Sequence, residues 1–282
     1  MYKILLKENL VPNVNLFKIE APAIANKAKP GHFVILRVDE TGERIPMTIA
    51  DWDKEEGSIT IVCFQVGTST SKLAQLETGD YIENVVGPLG VPLHIEKLGT
   101  VLCIGGCYGI GSILPVARAM KEAGNKVISI AEGRSKNLIY WQDRLRAASD
   151  ELIVVTENDA DSLKGWIPEK IEEMVARGDK PDLVVAIGCT FMMMRTSMAT
   201  KPYGIKTIVH LAPIMVDGTG MCGCCRVSVG GETRFACVHG PEFDGHEVDW
   251  DLLIARQSAY LSEELQSLQA WECQNWVMAE EE

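Results

Sequence analysis

The chain has 282 residues, and 39 acidic against 27 basic side chains give it a formal net charge of −12. A protein that follows the phosphates of nucleic acid needs a basic face, so we expect no nucleic-acid partner. The apolar runs are too short to span a bilayer, and we expect no membrane association. The first residues do not resemble a signal peptide, and an odd number of cysteines, nine, favours a reducing compartment, which predicts a cytoplasmic protein.

Residues 1–97 are predicted to form an N-terminal antiparallel β-barrel. Short runs in this segment alternate apolar and polar residues and are separated by Pro, Gly and Asn. The segment RIPMT, Arg44–Thr48, places a cation and a hydroxyl on a strand, and GTST, 67–70, adds hydroxyls beside a glycine. Phosphate oxygens are bound by such donors, although either segment alone is also typical of a solvated strand or a turn.

Residues 98–211 change to apolar strands that alternate with amphipathic helices, which predicts an α/β domain with a parallel sheet. The loop GGCYGIG, 105–111, follows a strand and opens a helix, where it could bind a pyrophosphate or could serve only as a tight turn. At the end of the next strand, Glu132 could bind a ribose hydroxyl, whereas Arg134 and Lys136 could bind a 2′-phosphate. Both NAD and NADP therefore stay open.

The segment GCTFMMM, 188–194, follows a later apolar strand of the same domain. It would lie at the carboxyl edge of the sheet, where open α/β sheets bind ligands. A methionine run is as often part of a core, so a binding role and a packing role stand equal at this point.

Residues 212–246 are rich in glycine and cysteine and are predicted to form a small loop domain. Asp217, Cys222, Cys225 and Cys237 follow the spacing D-x4-C-x2-C-x11-C. This is the plant-type [2Fe–2S] spacing with aspartate in the place of the first cysteine. Anionic ligands are needed on both irons, and a carboxylate could supply the fourth, so these four residues are the predicted metal ligands.

Other interpretations of the cysteine loop remain open. Four thiolate or carboxylate donors could also bind zinc, although paired zinc knuckles usually carry two C-x2-C units and this loop has one. Cys224 interrupts the spacing and is a spare ligand. Asp217 could be an ordinary turn residue, because aspartate in a loop often bonds to the backbone two residues on.

Residues 247–282 are helical in period, and Asp249 is a predicted N-cap. Trp250, Trp271 and Trp276 make this C-terminal helix and tail a candidate docking surface, because aromatic residues are enriched at interfaces. Packing of the helix onto its own domain is the equal alternative.

In chain order, RIPMT, GTST, GPLG, GGCYGIG, GCTFMMM and the cysteine loop resemble the ferredoxin–NADP reductase superfamily over nearly the whole chain. The resemblance implies FAD in the barrel, NAD(H), with NADP(H) possible, over the α/β domain, and a [2Fe–2S] cluster in the loop. It puts Arg44 and Thr48 on the flavin and its phosphate. The implied cofactor-binding residues are Arg44, Pro46, Met47, Thr48, Gly67, Thr68, Ser69, Thr70, Gly87, Gly90, Gly105, Gly106, Gly109, Ile110, Glu132, Arg134, Gly188, Cys189, Met192 and Met193.

Within the superfamily, the C-terminal cluster segment is similar to two families of electron-transfer subunits. One family serves dihydroorotate dehydrogenase and uses four cysteines, and the other contains the small subunits of NADH-dependent ferredoxin:NADP oxidoreductase, with aspartate in the first ligand position. Asp217 favours the second family. That resemblance implies a larger flavoprotein partner with further iron–sulfur clusters, and electron bifurcation in the complex.

A hypothesis from another class is a non-enzymatic zinc-binding or redox-sensing module on an inherited reductase fold. The sequence contains no Ser/His/Asp or paired-carboxylate set that would require hydrolytic chemistry. Cys107, Tyr108 and Cys189 depart from the superfamily pattern near the expected nicotinamide site, so the pose of the nicotinamide is less well defined than the fold.

Overall fold

The computed structural model describes residues 1–156 and 167–280. An antiparallel seven-stranded sheet forms the N-terminal part, as the alternating sequence predicts. Its elements are β1 (Tyr2–Val11), β2 (Val14–Glu20), α1 (Pro22–Ala25), β3 (Phe33–Arg37), β4 (Arg44–Asp53), β5 (Ser58–Phe64), α2 (Thr68–Gln75), β6 (Tyr81–Ile82) and β7 (Asn84–Leu89). The strand order is β6-β1-β2-β5-β4-β3-β7, and the inward residues of β2 and β5 pack into a common apolar core.

The second part is an α/β domain with a mainly parallel sheet. Its elements are β8 (Thr100–Gly106), α3 (Gly109–Glu122), β9 (Lys126–Gly133), α4 (Gln142–Ala148), β10 (Glu151–Thr156), α5 (Ile167–Ala176), β11 (Leu183–Ile187), α6 (Thr190–Thr200) and β12 (Lys206–His210). The strands β10-β9-β8-β11-β12 are parallel neighbours. The residues of β11 are all buried because helices and other segments cover both faces of the sheet.

The C-terminal part contains the cysteine loop and two helices. Its elements are β13 (Arg226–Val229), β14 (Glu232–Phe235), α7 (Ala236–His239), β15 (Glu242–Asp244), α8 (Trp250–Gln257) and α9 (Leu261–Glu280). The short strand β15 pairs antiparallel with β12 and forms the outer edge of the α/β sheet. The cysteine segment is thus joined to the neighbouring domain by backbone hydrogen bonds, and the boundaries at 97, 211 and 246 stay predictions.

The barrel and the α/β domain are packed together through α3. Gly111, in the first turn of α3, approaches Val62 of β5 so closely that a Cβ on the glycine would lie 2.9 Å from the Val62 Cγ2. At the other end of the contact, Asp51 on β4 forms ion pairs with Arg118 of α3 and Arg144 of α4. These contacts fix the orientation of the two sheets, in which the middle of β4 lies close to the end of β12.

The C-terminal segment is two helices rather than one continuous helix. Asp249 is the N-cap of α8, and its carboxylate accepts a hydrogen bond of 3.0 Å from the Leu252 amide, which confirms the predicted cap. Trp250 is 9% exposed and its indole N–H donates to the Gly245 carbonyl, so it packs inward and does not offer a docking surface. Trp271 is half-buried, and the Trp276 side chain lies outside the described residues. In the part of the chain that the structure describes, no helix combines the length and the apolar character that crossing a bilayer requires.

Candidate functional site

A cavity of about 630 Å³ opens between the barrel and the C-terminal helix. Arg44, at the start of β4, and the segment Gly67–Thr70, at the N-terminus of α2, lie on one side of it. A guanidinium, several hydroxyls and the free amides of a helix N-terminus are the donors that a diphosphate prefers. The cavity therefore brings together five of the predicted flavin-binding residues and provides the chemistry that the FAD diphosphate needs.

Thr70 has a structural role in this wall. Its hydroxyl accepts hydrogen bonds of 3.0 Å from the Val66 and Gly67 amides and donates one of 2.9 Å to the Gly67 carbonyl. These bonds hold the turn that precedes α2 in place. The Thr68 hydroxyl lies 2.9 Å from that of Ser267, so Ser69 carries the hydroxyl of this turn that is better placed to reach a bound phosphate.

The opposite wall of the cavity is one that the sequence analysis missed. Helix α9 lies over α2: the Thr68 and Ser267 hydroxyls are 2.9 Å apart, and the Gln75 amide donates to the Asn275 Oδ1 at 3.0 Å. The sequence of α9 contains no recognisable binding motif, and its helical period does not indicate which element the helix covers. The lining residues that this side adds include Ile214, Met215, Val216, Tyr260, Glu263 and Glu264.

Other predicted flavin residues of the barrel lie beside the cavity rather than in its lining. Pro46 and Met47 pair with β3 in the sheet. Thr48 faces the end of β12, with its Oγ1 3.4 Å from the His210 Nε2. The two glycines of GPLG are packing positions: a Cβ on Gly87 would lie 2.7 Å from the Val34 Cγ1, and one on Gly90 would lie 2.8 Å from the Pro241 Cδ.

The glycine loop lies at the carboxyl edge of the parallel sheet, where a nucleotide was expected. Gly105 and Gly106 end β8, and Gly109 and Ile110 open α3. Gly109 is so close to the end of β11 that a Cβ would overlap the Ile187 carbonyl, so no other residue fits there. The helix N-terminus and this tight turn are consistent with binding a pyrophosphate.

Glu132 and Arg134 differ in their relation to this loop. Glu132 pairs in register with Gly106, and a Cβ on that glycine would lie 2.6 Å from the Glu132 Oε2. Arg134 is exposed, one residue beyond the end of β9. The Glu132 carboxylate therefore lies directly beside the glycine loop, whereas Arg134 lies beyond the end of the strand.

The segment after β11 meets the glycine loop at the same edge. A Cβ on Gly188 would lie 3.0 Å from the Gly106 carbonyl oxygen and would overlap the Met192 methyl group. Met192 and Met193 are 7% and 1% exposed and pack in the core, whereas Cys189 is exposed. Gly188 and Cys189 thus border the expected nicotinamide site, and Met193 has a packing role.

Two further groups at this edge have defined contacts. Burial raises the pKa of Tyr108, and its hydroxyl donates a hydrogen bond of 2.8 Å to the Gly188 carbonyl. Cys107 adopts a positive φ of 53° and is exposed. Its thiol is close enough to that of Cys189 for the two to interact electrostatically. The loop and the β11 turn are therefore tied together by Tyr108.

The four predicted cluster ligands form two pairs. The Asp217 carboxylate accepts a hydrogen bond of 2.8 Å from the Cys222 amide, and the Cys225 and Cys237 sulfurs are 3.2 Å apart. Within residues 1–156 and 167–280, no three or more Cys, His, Asp or Glu side chains converge as a metal site would require. The donor chemistry of two buried thiols, an exposed thiol and a carboxylate nevertheless fits a [2Fe–2S] cluster, which needs ligands on two irons.

Asp217 is held firmly in the loop. Hydrogen bonds from Cys222 and from the Thr219 amide and hydroxyl lower the pKa of its carboxyl, so it is ionised in the loop. The residues Gly218 and Gly220 have positive φ values, and Gly218 lies against Leu89 of the barrel. The turn therefore presents an anionic side chain and brings the loop into contact with the flavin-side domain.

The buried thiols are on the inner side of the loop. Cys225 and Cys237 are each 2% exposed, and burial together with the neighbouring Cys225 raises the pKa of the Cys237 thiol to about 12. Arg256 of α8 donates a hydrogen bond of 3.0 Å to the Cys224 carbonyl. Cys224 is thus positioned through its backbone, and its half-buried thiol is close enough to those of Cys222 and Cys225 to interact with them.

Comparisons with known proteins agree with this arrangement. Residues 212–249 match the family described as the iron-sulfur cluster binding domain of dihydroorotate dehydrogenase B. The chain is 42% identical over 262 residues to a dihydroorotate dehydrogenase B (NAD(+)) electron transfer subunit homolog from Thermotoga maritima, covering 93% of this chain and 92% of that protein. A probable electron transfer subunit of the same enzyme from Methanopyrus kandleri is 30% identical over 221 residues, or 78% and 81% of the two chains.

Solved structures give the same result for the fold. A structure that describes flavin-based electron bifurcation by NADH-dependent reduced ferredoxin-NADP oxidoreductase is 41% identical, with a TM-score of 0.91 over 96% of this chain and 98% of that chain. Phthalate dioxygenase reductase, described as a modular structure for electron transfer from pyridine nucleotides to [2Fe-2S], is 14% identical, with a TM-score of 0.56 over 81% and 85% of the two chains. The latter likeness shows the fold alone.

The fold and the site thus define a ferredoxin reductase-like oxidoreductase subunit with flavin, nicotinamide and iron–sulfur sites. The chain belongs to the family of dihydroorotate dehydrogenase B electron-transfer subunits and their homologues. The family binds FAD, a [2Fe–2S] cluster and NAD, the cofactors that the sequence predicts.

Proposed function

We propose that this chain is the small subunit of an electron-bifurcating NADH-dependent ferredoxin:NADP oxidoreductase, in which it passes electrons between NAD(H) and a larger iron–sulfur flavoprotein subunit. The observation that carries the proposal is Asp217. Its carboxylate, which accepts a hydrogen bond from the Cys222 amide, would take the first ligand position, where the resemblance implies cysteine in the dihydroorotate subunits. The 41% identity to a chain from the oxidoreductase structure over 96% of this chain supports the same assignment.

The proposed electron route needs three binding sites. When bound, FAD takes two electrons as a hydride equivalent, and the cluster carries electrons singly. Arg44 and the α2 N-terminus would hold the flavin diphosphate, and α9 would exclude water from that pocket. Gly106, Gly109 and the α3 N-terminus would hold the nicotinamide nucleotide. Cys222, Cys225, Cys237 and Asp217 would hold the cluster beside the barrel.

The nucleotide proposed is NADH rather than NADPH. Glu132 faces the glycine loop next to Gly106, and its charge would repel a ribose 2′-phosphate. Arg134 is exposed two residues further along the chain. Anaerobic titration of the flavin absorbance with each nucleotide tests this preference, with reduction by NADH at concentrations at least about tenfold lower expected.

The second candidate is the electron-transfer subunit of an NAD-dependent dihydroorotate dehydrogenase. The match of residues 212–249 to the cluster domain of that enzyme favours it. The two candidates differ in the large subunit and in the final acceptor. We therefore expect a tagged chain, purified without oxygen from its native cells, to retain a partner that carries iron–sulfur clusters and to support NADP reduction by NADH and reduced ferredoxin.

The outcomes of that purification separate the hypotheses. Oxidation of dihydroorotate by the captured complex would instead assign the chain to the second candidate. Metal and flavin analysis of the isolated chain separates both enzymes from the non-enzymatic module, which would contain zinc or lack flavin. About two irons per chain, bound flavin and no zinc are the expected result.

A further inference from the structure

A buried acid–base pair lies where the barrel, the α/β sheet and the cysteine segment meet. His210 ends β12 and Glu242 begins β15, and the two residues face each other in the antiparallel register. The His210 Nδ1 and the Glu242 Oε1 are 3.0 Å apart, and the side chains are 7% and 8% exposed. Burying such groups costs free energy unless they have partners, so this pair is not an ordinary surface contact.

The pair extends to a third residue, Thr48, through the other ring nitrogen of the histidine. The His210 Nε2 is 3.4 Å from the Thr48 Oγ1, across the contact between the α/β sheet and the barrel. Thr48 is the last residue of RIPMT and a proposed flavin contact. Glu242, His210 and Thr48 thus form a polar chain in which the cysteine segment, the nucleotide domain and the flavin domain each supply one member.

The Glu242 carboxylate is fixed but incompletely satisfied. Gly31 comes so close to its Oε1 that a Cβ on the glycine would overlap that atom. Among the residues that the structure describes, the buried Oε2 has no hydrogen-bond partner. A fold seldom keeps a buried carboxylate with an unpaired oxygen unless the group has a further role. Packing alone does not require a charged residue here.

The hydrogen-bond directions follow from the chemistry of the three groups. In the state with an ionised carboxylate and a neutral ring, the carboxylate only accepts, so the His210 Nδ1–H donates to Glu242 and the Nε2 accepts; this is the state to which the proposal applies. In that state the Thr48 hydroxyl is the donor to the His210 Nε2. Its remaining lone pairs are held in a fixed direction, and Thr48 can offer an oxygen acceptor to a neighbouring ligand.

We propose that Glu242 and His210 are positioning residues that hold the Thr48 hydroxyl as a hydrogen-bond acceptor toward the flavin, and so favour its reduced form. The proposal rests on the proposed FAD site. Reduction of a flavin adds a proton to a ring nitrogen, and an acceptor oxygen stabilises that protonated form. Without the pair, the Thr48 hydroxyl rotates freely and can donate to the oxidised ring instead.

The test uses two substitutions at His210 that separate its two contacts. In His210→Asn, the amide can keep a bond to Glu242 in the place of the Nδ1 but cannot reach Thr48. In His210→Gln, the longer amide can reach Thr48 in the place of the Nε2. His94→Asn is the matched control, because the His94 side chain is 81% exposed. The full-length, FAD-loaded proteins are equilibrated without oxygen at one fixed potential.

We expect His210→Asn to lower the ratio of reduced to oxidised flavin about tenfold, equivalent to about 30 mV for a two-electron couple. His210→Gln should restore most of the ratio, and His94→Asn should leave it unchanged. In a Thr48→Val background, His210→Asn should cause no further shift, because the hydroxyl it positions is absent. Glu242→Leu, which removes the acceptor of the His210 Nδ1–H, tests the same chain independently if His210→Asn does not fold, and it should also lower the ratio.

Several results would overturn the proposal. An unchanged ratio in His210→Asn with FAD bound would show that the pair only supports the fold. An equal shift from His210→Asn with and without the Thr48 hydroxyl would show that it acts by another route. If the wild-type chain binds no FAD, the proposed function fails and this inference fails with it, whereas the first two results leave the proposed function intact.

Discussion

The cavity proposed to hold FAD and the cysteine loop are assembled from the chain in different ways. All proposed donors of the loop lie between Asp217 and Cys237, so their spacing is visible in the sequence. The cavity combines β4, α2 and the distant helix α9, and only tertiary packing brings these elements together. A local donor set can therefore be recognised from spacing, whereas the cover of a pocket cannot.

The largest expected effect comes from a substitution in the cysteine loop that should abolish iron binding and leave FAD binding unchanged. Cys237→Ser should remove most of the roughly two irons per chain, because a buried thiolate ligand is lost. FAD should remain bound, since the cavity lining does not include Cys237. Iron analysis and the visible spectrum measure both effects. Cys224→Ser is the control and should retain iron; loss of iron from the control with retention in Cys237→Ser would refute the ligand set.

The second prediction concerns a substitution in the cavity that should weaken FAD binding and leave the cysteine loop unchanged. Arg44→Ala should weaken FAD binding about tenfold or more, because a charge-assisted hydrogen bond to phosphate is lost. The control Arg226→Ala removes an exposed arginine that bonds to the Gly223 carbonyl in the cysteine segment. Equilibrium dialysis of FAD measures the difference. Equal affinities in the two variants would remove Arg44 from the flavin site.

The third prediction tests whether the cavity depends on packing between the domains. Burial alone would raise the pKa of Asp51, but hydrogen bonding and charge from Arg118 and Arg144 outweigh it, and the pKa is lowered. A lowered pKa stabilises the fold above the unfolded value of about 3.9 and is lost as pH falls through the folded value. Asp51→Asn should therefore cost about 1 kcal/mol at pH 7 and progressively less below about pH 4.

The measurement for Asp51→Asn is the temperature at which bound FAD is released, followed by flavin fluorescence across that pH range. Asp53→Asn is the control, because the Asp53 carboxylate bonds only to nearby backbone amides in the described contacts. A deficit that persists unchanged in acid would mean that the Asp51 charge does not stabilise the contact.

The smallest expected effect concerns the cover of the cavity. Ser267→Ala removes the hydroxyl that lies 2.9 Å from the Thr68 Oγ1. Such a bond contributes about 0.5–1 kcal/mol, so FAD should dissociate about threefold faster. Stopped-flow capture of released flavin measures the rate, with Ser258→Ala as the control, because the Ser258 hydroxyl, just after α8, bonds only to the Ile254 carbonyl in the described contacts. Identical rates would indicate that α9 does not need this bond to cover the pocket.

Much of the fold was predictable, because apolar alternation and strand–helix rhythm follow from burial on one or both faces of a sheet. The glycine-rich turn at the sheet edge was also predictable, because a tight strand-to-helix turn requires glycine. In the structure Gly109 occupies a contact that admits no side chain. The roles of Trp250 and His210 were not predictable. A lone aromatic or histidine in sequence carries no sign of its neighbours, and these two acquire theirs from contacts made only in the folded chain.

The packing of α9 over the cavity proposed for FAD is a second feature that could not be predicted from the sequence. The sequence predicts that α9 is helical, but the choice of face is made by contacts such as Gln75 with Asn275. Glu263 and Glu264 place negative charge in a pocket proposed to hold a diphosphate. No sequence motif predicts that placement, and only the packed helix reveals it.

The short strand β15 gives the cysteine segment a second role, because it covers the edge strand of the α/β sheet. Without residues 242–244, the outer side of β12 would present unpaired amides and carbonyls, a template on which another chain can pair. Deletion of the cysteine segment to obtain a simpler flavoprotein would thus produce a truncated protein that is prone to aggregate. A shortened version that stays dispersed would have to keep this strand or replace it with a charged edge.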